Sequence, residues 1–239
     1  MISWANDLPV QRVDLDRSSP EQLGAYVAAF EDRGLEARCS LVTVDLGVPV
    51  IVAMVRSRHA GDPAMVVSAA ADLDVAAACR RALSELTANR LNVRHSMEQA
   101  GPGRRSWDPR QVRDETAHGL LYADPEAAGP LEQWWEPKET VPLRPVRQKR
   151  AVWARLTELT RSVTRAGLDA LVVDLTPPEI AALGLRTVKV LVPGTYPMNF
   201  DSLWPQFGGA RMASAPVAAG LLDEPVSFEA LNRVPHPFP

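Results

Sequence analysis

Ala37-Arg38-Cys39-Ser40-Leu41-Val42-Thr43-Val44 and Val48-Pro49-Val50-Ile51-Val52-Ala53-Met54-Val55 are two β-rich runs joined across Asp45-Leu46-Gly47. Runs of this composition on either side of one glycine-bearing turn predict a hairpin. Met65 to Ser68 predicts a third strand. Upstream, Ser19-Pro20-Glu21 reads as a helix start, a capping hydroxyl followed by proline at the first helical position. Leu23, Val27, Phe30 and Leu35 follow at helical spacing, and Gly34 closes the helix. Downstream, Asp72 or Asp74 caps a long helix to about His95, with Val75, Cys79, Ala82, Leu83 and Leu86 as its apolar stripe. Strands and helices interleave, so the fold class is α+β: mixed sheets packed with helices.

Working outward, Met1 to Pro9 carries an aromatic and apolar residues where termini are usually polar. A chain interrupted inside a domain and an N-terminal arm docked on the core are both open. Gly101 to Arg105 reads as a loop, and Asp124-Pro125-Glu126 opens a short helix toward Trp134 and Trp135. Glu136 to Pro145 holds three prolines and reads as a linker or an extended crossing segment, a seam near 136–145. Ala151 to Ala166 is a helix ended by Gly167; Asp169 to Leu175 a strand; Pro177 to Leu183 a short helix; Leu185 to Val192 a strand after the Gly184 turn. From Pro193-Gly194 the chain reads as irregular to its end. One domain is the simplest organisation.

Composition bounds the function. With 239 residues, 46% hydrophobic and 23% charged, the chain can bury a core. A net charge of -3 gives no global electrostatic case for nucleic acid. The basic run Arg144 to Arg150 reads as a solvated linker or helix start before a phosphate-binding patch. Cys39 and Cys79 share no metal-ligand spacing and read as two buried free thiols. No apolar run is long enough to span a bilayer, and the N-terminus lacks a secretory pattern, so the expectation is a cytoplasmic protein.

Generic catalytic signatures are absent. His59, His95, His118 and His236 stand at no metal-ligand spacing, and neither phosphate-cradling glycine loop nor nucleophile elbow occurs. Two features remain. Arg81, Glu85 and Asn89 lie at i, i+4 and i+8 on the long helix, beside Ala88. An exposed ion-pair stripe is the ordinary reading of that spacing. The functional alternative has Glu85 hold Mg2+ beside nucleotide phosphates, since magnesium takes one or two carboxylates plus phosphate oxygens. The second feature is Val234-Pro235-His236-Pro237-Phe238-Pro239. Alternating proline forces an extended, stiff segment that loses little entropy on entering a groove. A disordered tail, a seated arm and a ligand for a proline-binding partner are open, and Phe238 argues against the first.

Asp174-Leu175-Thr176 with Gly184-Leu185-Arg186-Thr187-Val188-Lys189-Val190-Leu191-Val192-Pro193-Gly194 resembles a signature near the end of YcaO-type proteins. Leu231 to Pro239 resembles that family's proline-rich C-terminus, Ala82-Leu83-Ser84-Glu85-Leu86 its alanine-leucine-x-glutamate helix, and His118 to Glu126 also fits. The resemblance runs in order over nearly the whole chain. It implies a YcaO-like fold, present as a partial domain: residues 1–239 as the C-terminal portion, with a structured tail over 225–239.

The resemblance implies an ATP- and Mg2+-dependent cyclodehydratase of the azoline-forming branch. Such an enzyme converts Cys, Ser or Thr of a ribosomal precursor peptide to thiazoline or oxazoline. Pro235, Pro237 and Pro239 would shape the active site, with the Pro239 carboxylate as a proton acceptor; Glu85, Asn89 and Arg81 would serve the nucleotide, and Glu85 the magnesium. Implied partners are the precursor peptide, an E1-like or docking protein, and the complementary N-terminal YcaO portion, with a homodimer as one option. Two departures stand out. The family's N-terminal nucleotide motifs do not occur in this chain, which is therefore expected to be inactive alone. Ala88 occupies the position three after the glutamate, where the family usually has glutamine, with Asn89 next to it. The alternative implied by these departures is a non-catalytic YcaO-like module that binds a peptide or a partner.

Overall fold

A computed structural model describes residues 1–20, 22–101, 108–143 and 151–239. Readings that fell on Glu21, on the loop beyond Gly101, and on Arg144 to Arg150 with the last proline of the seam lie outside the described residues. In chain order the elements are α1 (Ile2–Ala5), β1 (Gln11–Asp14), α2 (Leu23–Glu31), β2 (Leu35–Leu41), β3 (Val50–Ser57), β4 (Met65–Ala71) and α3 (Val75–Ala100). Then follow α4 (Glu115–Ala123), α5 (Glu132–Trp135), β5 (Glu139–Pro142), α6 (Val152–Arg165), β6 (Leu171–Asp174), α7 (Pro178–Ala182), β7 (Val188–Leu191) and α8 (Ala210–Ala218).

Strand β3 explains the architecture. Its residues Ile51 to Val55 are buried without the alternation of a half-exposed strand, so both faces of its sheet must be covered. Ile51, Ala53 and Val55 face one core, built with Leu23 and Phe30 of α2 and Cys79, Leu83 and Leu86 of α3. Val52 and Met54 face the other, built with Trp4, Leu121, Tyr122, Trp134 and Phe238. The sheet runs β4-β3-β2-β1-β5; β1 to β4 pair antiparallel and β5 joins β1 in parallel. Ser68 Oγ donates to the Ala82 carbonyl at 2.7 Å and Ser40 Oγ to that of Trp134 at 2.7 Å, one bolt from the sheet into each layer. Cys39 of β2 and Cys79 of α3 are free and buried; their mutual hydrogen bond, then burial, pushes the Cys39 thiol well up. A third core joins Ile2 and Ala5 of α1 to Met212 and Ala215 of α8.

Local signals were followed closely where they were strong. The hairpin, the third strand and the long helix are present, with Asp74 accepting from the Ala77 N–H as the cap. Three expectations are corrected. Leu35 opens β2 and is not helical, because the chain turns at Gly34 (φ +68°) after α2 ends. The stretch after Gly194 is not irregular throughout, since α8 forms there despite an internal Pro216. Part of the proline-bearing seam is a strand, β5, whose residues pair with Gln11 to Asp14.

Elements α6, β6, α7 and β7 differ from the rest. No residue in any of them is buried. The β6–β7 ribbon is a separate two-stranded sheet, and an ion pair from Arg155 of α6 to Asp72 at 2.8 Å ties this region to the body. Val152 and Trp153 are each 77% exposed, and Leu156, Val172, Val188 and Val190 are exposed too.

Removing the α3 cap by Asp74→Ala should cost about 1 kcal/mol, the usual value for a lost side-chain cap. Urea denaturation of the full chain measures it.

Candidate active site

Helix α3 carries the first half of the site. It packs on β4 and presents its outer face to a cavity of about 580 Å³ whose wall includes Tyr26, Arg80, Arg81, Ser84, Glu85 and Ala88. Arg81 pairs with Asp72 at 3.5 Å rather than along the helix, so the exposed-stripe reading does not describe it. Asp72 stands between Arg81 and Arg155, a carboxylate shared by α3 and α6. Glu85 is exposed on the cavity wall. Asn89 turns the other way: its Nδ2 donates to the Val67 carbonyl of β4 at 3.3 Å. The structure therefore brings Arg81 and Glu85 to one cavity and seats Asn89 against the sheet.

The second half is the C-terminal arm. Pro235, His236, Pro237 and Phe238 are buried. A proline-rich segment brings carbonyls with few N–H groups, so it needs donors. Three side chains supply them in succession. Trp4 Nε1 donates to the Val234 carbonyl at 2.8 Å, the Tyr122 hydroxyl to that of Pro235, and His118 Nδ1 to that of His236 at 2.6 Å. Burial pushes the Tyr122 phenol up, which keeps it a donor. Phe238 lies near Trp134, ring centroids 6.2 Å apart.

His236 stacks on His118 with centroids 4.0 Å apart and planes within 18°. Burial first, then the charge of His118, pushes the His236 imidazole down to about 3. The neutral ring donates from Nε2 to the Asn199 carbonyl at 3.0 Å, and its buried Nδ1 has no partner.

The arm ends beside α3. A Cβ added to Gly119 would stand 2.9 Å from Val93 Cγ2 and 3.3 Å from Pro239 Cβ, so glycine leaves room on α4 for both Val93 of α3 and the last proline. Val93 follows Glu85 by eight residues, about 12 Å of rise along one helix.

The sequence singles out Arg81, Glu85 and the three prolines as candidates; it does not single out the donors that hold the arm. Helix α4 went unassigned, although Asp114 caps it by accepting from the Ala117 N–H at 2.8 Å. That cap before a run of apolar residues was the available signal. Trp4 was noticed only as an awkward opening residue. Among the described residues no three His, Cys, Asp or Glu side chains cluster as a metal site, and no helix is long and apolar enough to cross a membrane.

Comparison with known proteins adds to this geometry. Residues 1–196 match a family model described as YcaO cyclodehydratase, ATP- and Mg2+-binding. A solved heterocyclase in complex with substrate and cofactor is similar over 99% of this chain and 29% of its own, with TM-score 0.73 and 26% identity. The heterocyclase TruD is similar over 99% of this chain and 30% of its own, with TM-score 0.69 and 25% identity. A YcaO protein from Methanopyrus kandleri, bound with AMPPCP and Mg2+, is similar over 81% of this chain and 47% of its own, with TM-score 0.51 and 26% identity. The chain thus spans less than a third of the length of either heterocyclase. No curated protein matched.

Two outcomes follow from the arm. Pro235→Ala places an N–H in a buried segment whose neighbours are donors, and should cost about 1–3 kcal/mol in denaturant unfolding. His236 is neutral when folded and protonates near 6.5 when unfolded, so the unfolded state binds more protons between those values and stability rises with pH there. Its contribution is whole above 6.5 and is lost as pH falls toward 3. The wild-type melting temperature should therefore fall more steeply than that of His236→Gln between pH 6.5 and about 4, read by calorimetry.

Proposed function

The chain belongs to the YcaO family, and from that premise we propose that it is one component of an ATP-dependent azoline-forming cyclodehydratase. Its substrate in this reading is a ribosomal precursor peptide, whose cysteine, serine or threonine closes on the backbone. The observation that carries the reading is the seated arm: Pro239 and Val93 of α3 both flank Gly119 of α4, and Val93 belongs to the helix whose Glu85 and Arg81 wall the cavity. One carboxylate, two guanidinium groups and the hydroxyls of Tyr26 and Ser84 suit a phosphate shared with Mg2+, which binds through one or two carboxylates plus phosphate oxygens. Glu85 is assigned to Mg2+ and Arg81 to phosphate. Asn89, bonded into the sheet, would have to release Val67 to join them. ATP supplies activation of the peptide amide oxygen. Pro235, Pro237 and Pro239 fix the arm, and its end is the proton acceptor, a task governed by placement.

We further propose that residues 1–239 form the C-terminal portion of a YcaO-type domain and are inactive alone. Support comes from the share of the heterocyclases covered and from the apolar faces of α6 and the β6–β7 ribbon, where Trp153, Leu156, Val172 and Val190 stand exposed. Open strand edges beside apolar surface suit docking of a complementary portion. An E1-like or docking protein would deliver the peptide.

A second reading is a non-catalytic YcaO-like module that binds a peptide or partner. Ala88 favours it, since a methyl group on the cavity wall can neither ligate nor hydrogen-bond.

Calorimetric titration of ATP and Mg2+ into this chain joined with the complementary portion separates the two. Binding that weakens about tenfold or more in Glu85→Gln is expected, the loss of an essential charge-assisted contact. Absence of binding heat favours the module. Mass spectrometry should show water lost from the precursor peptide, and deletion of Pro235 to Pro239 should stop it.

A further inference from the structure

We propose that His118 is the positioning residue of the C-terminal arm, and that one face of α4 is built as its seat. The proposal rests on the reading of the arm as part of the active site. His118 is 1% exposed, and both ring nitrogens face carbonyl oxygens: Nδ1 that of His236 at 2.6 Å, Nε2 that of Phe200 at 3.0 Å. A carbonyl oxygen can only accept, so a ring nitrogen that carries a proton donates to the carbonyl it faces. The ring is thus a bridge between the arm and the segment around residue 200.

The stack doubles the bridge. His236 hands its own Nε2–H to the Asn199 carbonyl, one residue from the carbonyl that His118 holds. The Phe200 ring stands 5.6 Å from each imidazole, edge to face. The 199–202 segment is in turn fixed to the approach of α4: Ser202 N donates to the Val112 carbonyl at 3.1 Å, and Arg113 pairs with Asp201 at 3.1 Å. His118 thus joins arm, segment and helix within a set of contacts that also includes His236 and Arg113.

The same helix face completes the seat. Tyr122 lies one turn from His118, where side chains at i and i+4 share a face, and it holds the preceding arm carbonyl. Gly119 provides the clearance that Pro239 occupies. Two donors and one gap on α4 thus set both the register of the arm and how far its end reaches along α3. His118 touches no reacting atom in this arrangement; it acts through where it puts Pro239.

The test uses the full chain with His118→Phe, His118→Gln and Tyr122→Phe, and reads hydrogen exchange at the Val234, His236 and Phe238 amides. His118→Phe keeps a flat ring and removes both ring nitrogens; exchange in the arm should quicken about tenfold or more, the effect of losing a buried hydrogen bond. Exchange in α3 should stay unchanged. His118→Gln keeps one donor and should recover part of the protection. Tyr122→Phe keeps the ring and serves as a second arm-release variant should the His118 variants fail to fold. In the assembled enzyme, His118→Phe should lower kcat for azoline formation with the KM for ATP unchanged. Arm amides as protected in His118→Phe and Tyr122→Phe as in the parent chain would overturn the proposal. If the arm is freed while the parent assembly makes no azoline, the positioning role stands and the cyclodehydratase reading falls.

Discussion

A segment rich in proline enters a protein interior with carbonyl groups to satisfy and few N–H groups to offer. That imbalance governs one side of this molecule. A sheet edge would meet it with acceptors it cannot use as well as donors it can. Side chains with a donor to give meet it cleanly, and Trp4, Tyr122 and His118 do so on three successive carbonyls. The core around them is aromatic for the same reason, because indole and phenol carry a large apolar body with one donor at the edge. Trp4 packs edge-on against both Tyr122 and Trp134 while spending its N–H on the arm.

The two faces of the five-stranded sheet do different work. On one, aliphatic and small residues of α2 and α3 pack as an ordinary core, and Ser68 and the paired thiols absorb the few polar atoms. That face fixes α3, and therefore the wall of the cavity. On the other, the aromatic core receives the arm. Helix α3 carries Glu85 on the cavity wall at one level and, at another, Val93, which faces the same Gly119 that Pro239 approaches.

How much of this was legible follows from how far apart the determinants lie. The β2–β3 hairpin, β4 and α3 were readable because their signals, a turn glycine, a cap and an apolar stripe, sit within the element itself. Strands β1 and β5 were not: each is four residues long, and they pair in parallel across more than a hundred residues. Helix α8 was hidden by Pro216 and by small residues with weak periodicity. In the site, the spacing of Arg81 and Glu85 could be read from the sequence, but which of Ala88 and Asn89 faces the cavity depends on the position of β4. The arm's stiffness was readable from proline alone. Its donors were not, since Trp4, His118 and Tyr122 lie more than a hundred positions from the carbonyls they hold.

The bond from Trp4 to Val234 spans 230 positions, nearly the whole chain. Contacts of that separation form late, because the loop they close must be ordered by other means first. Strands β1 to β4 and α3 can assemble from pairings between neighbours in the chain as it emerges during synthesis. The aromatic core cannot: Phe238 lies more than a hundred positions from both Trp134 and Tyr122, and until it arrives they lack that neighbour. The segment proposed to do the chemistry is therefore also the one that completes the aromatic core.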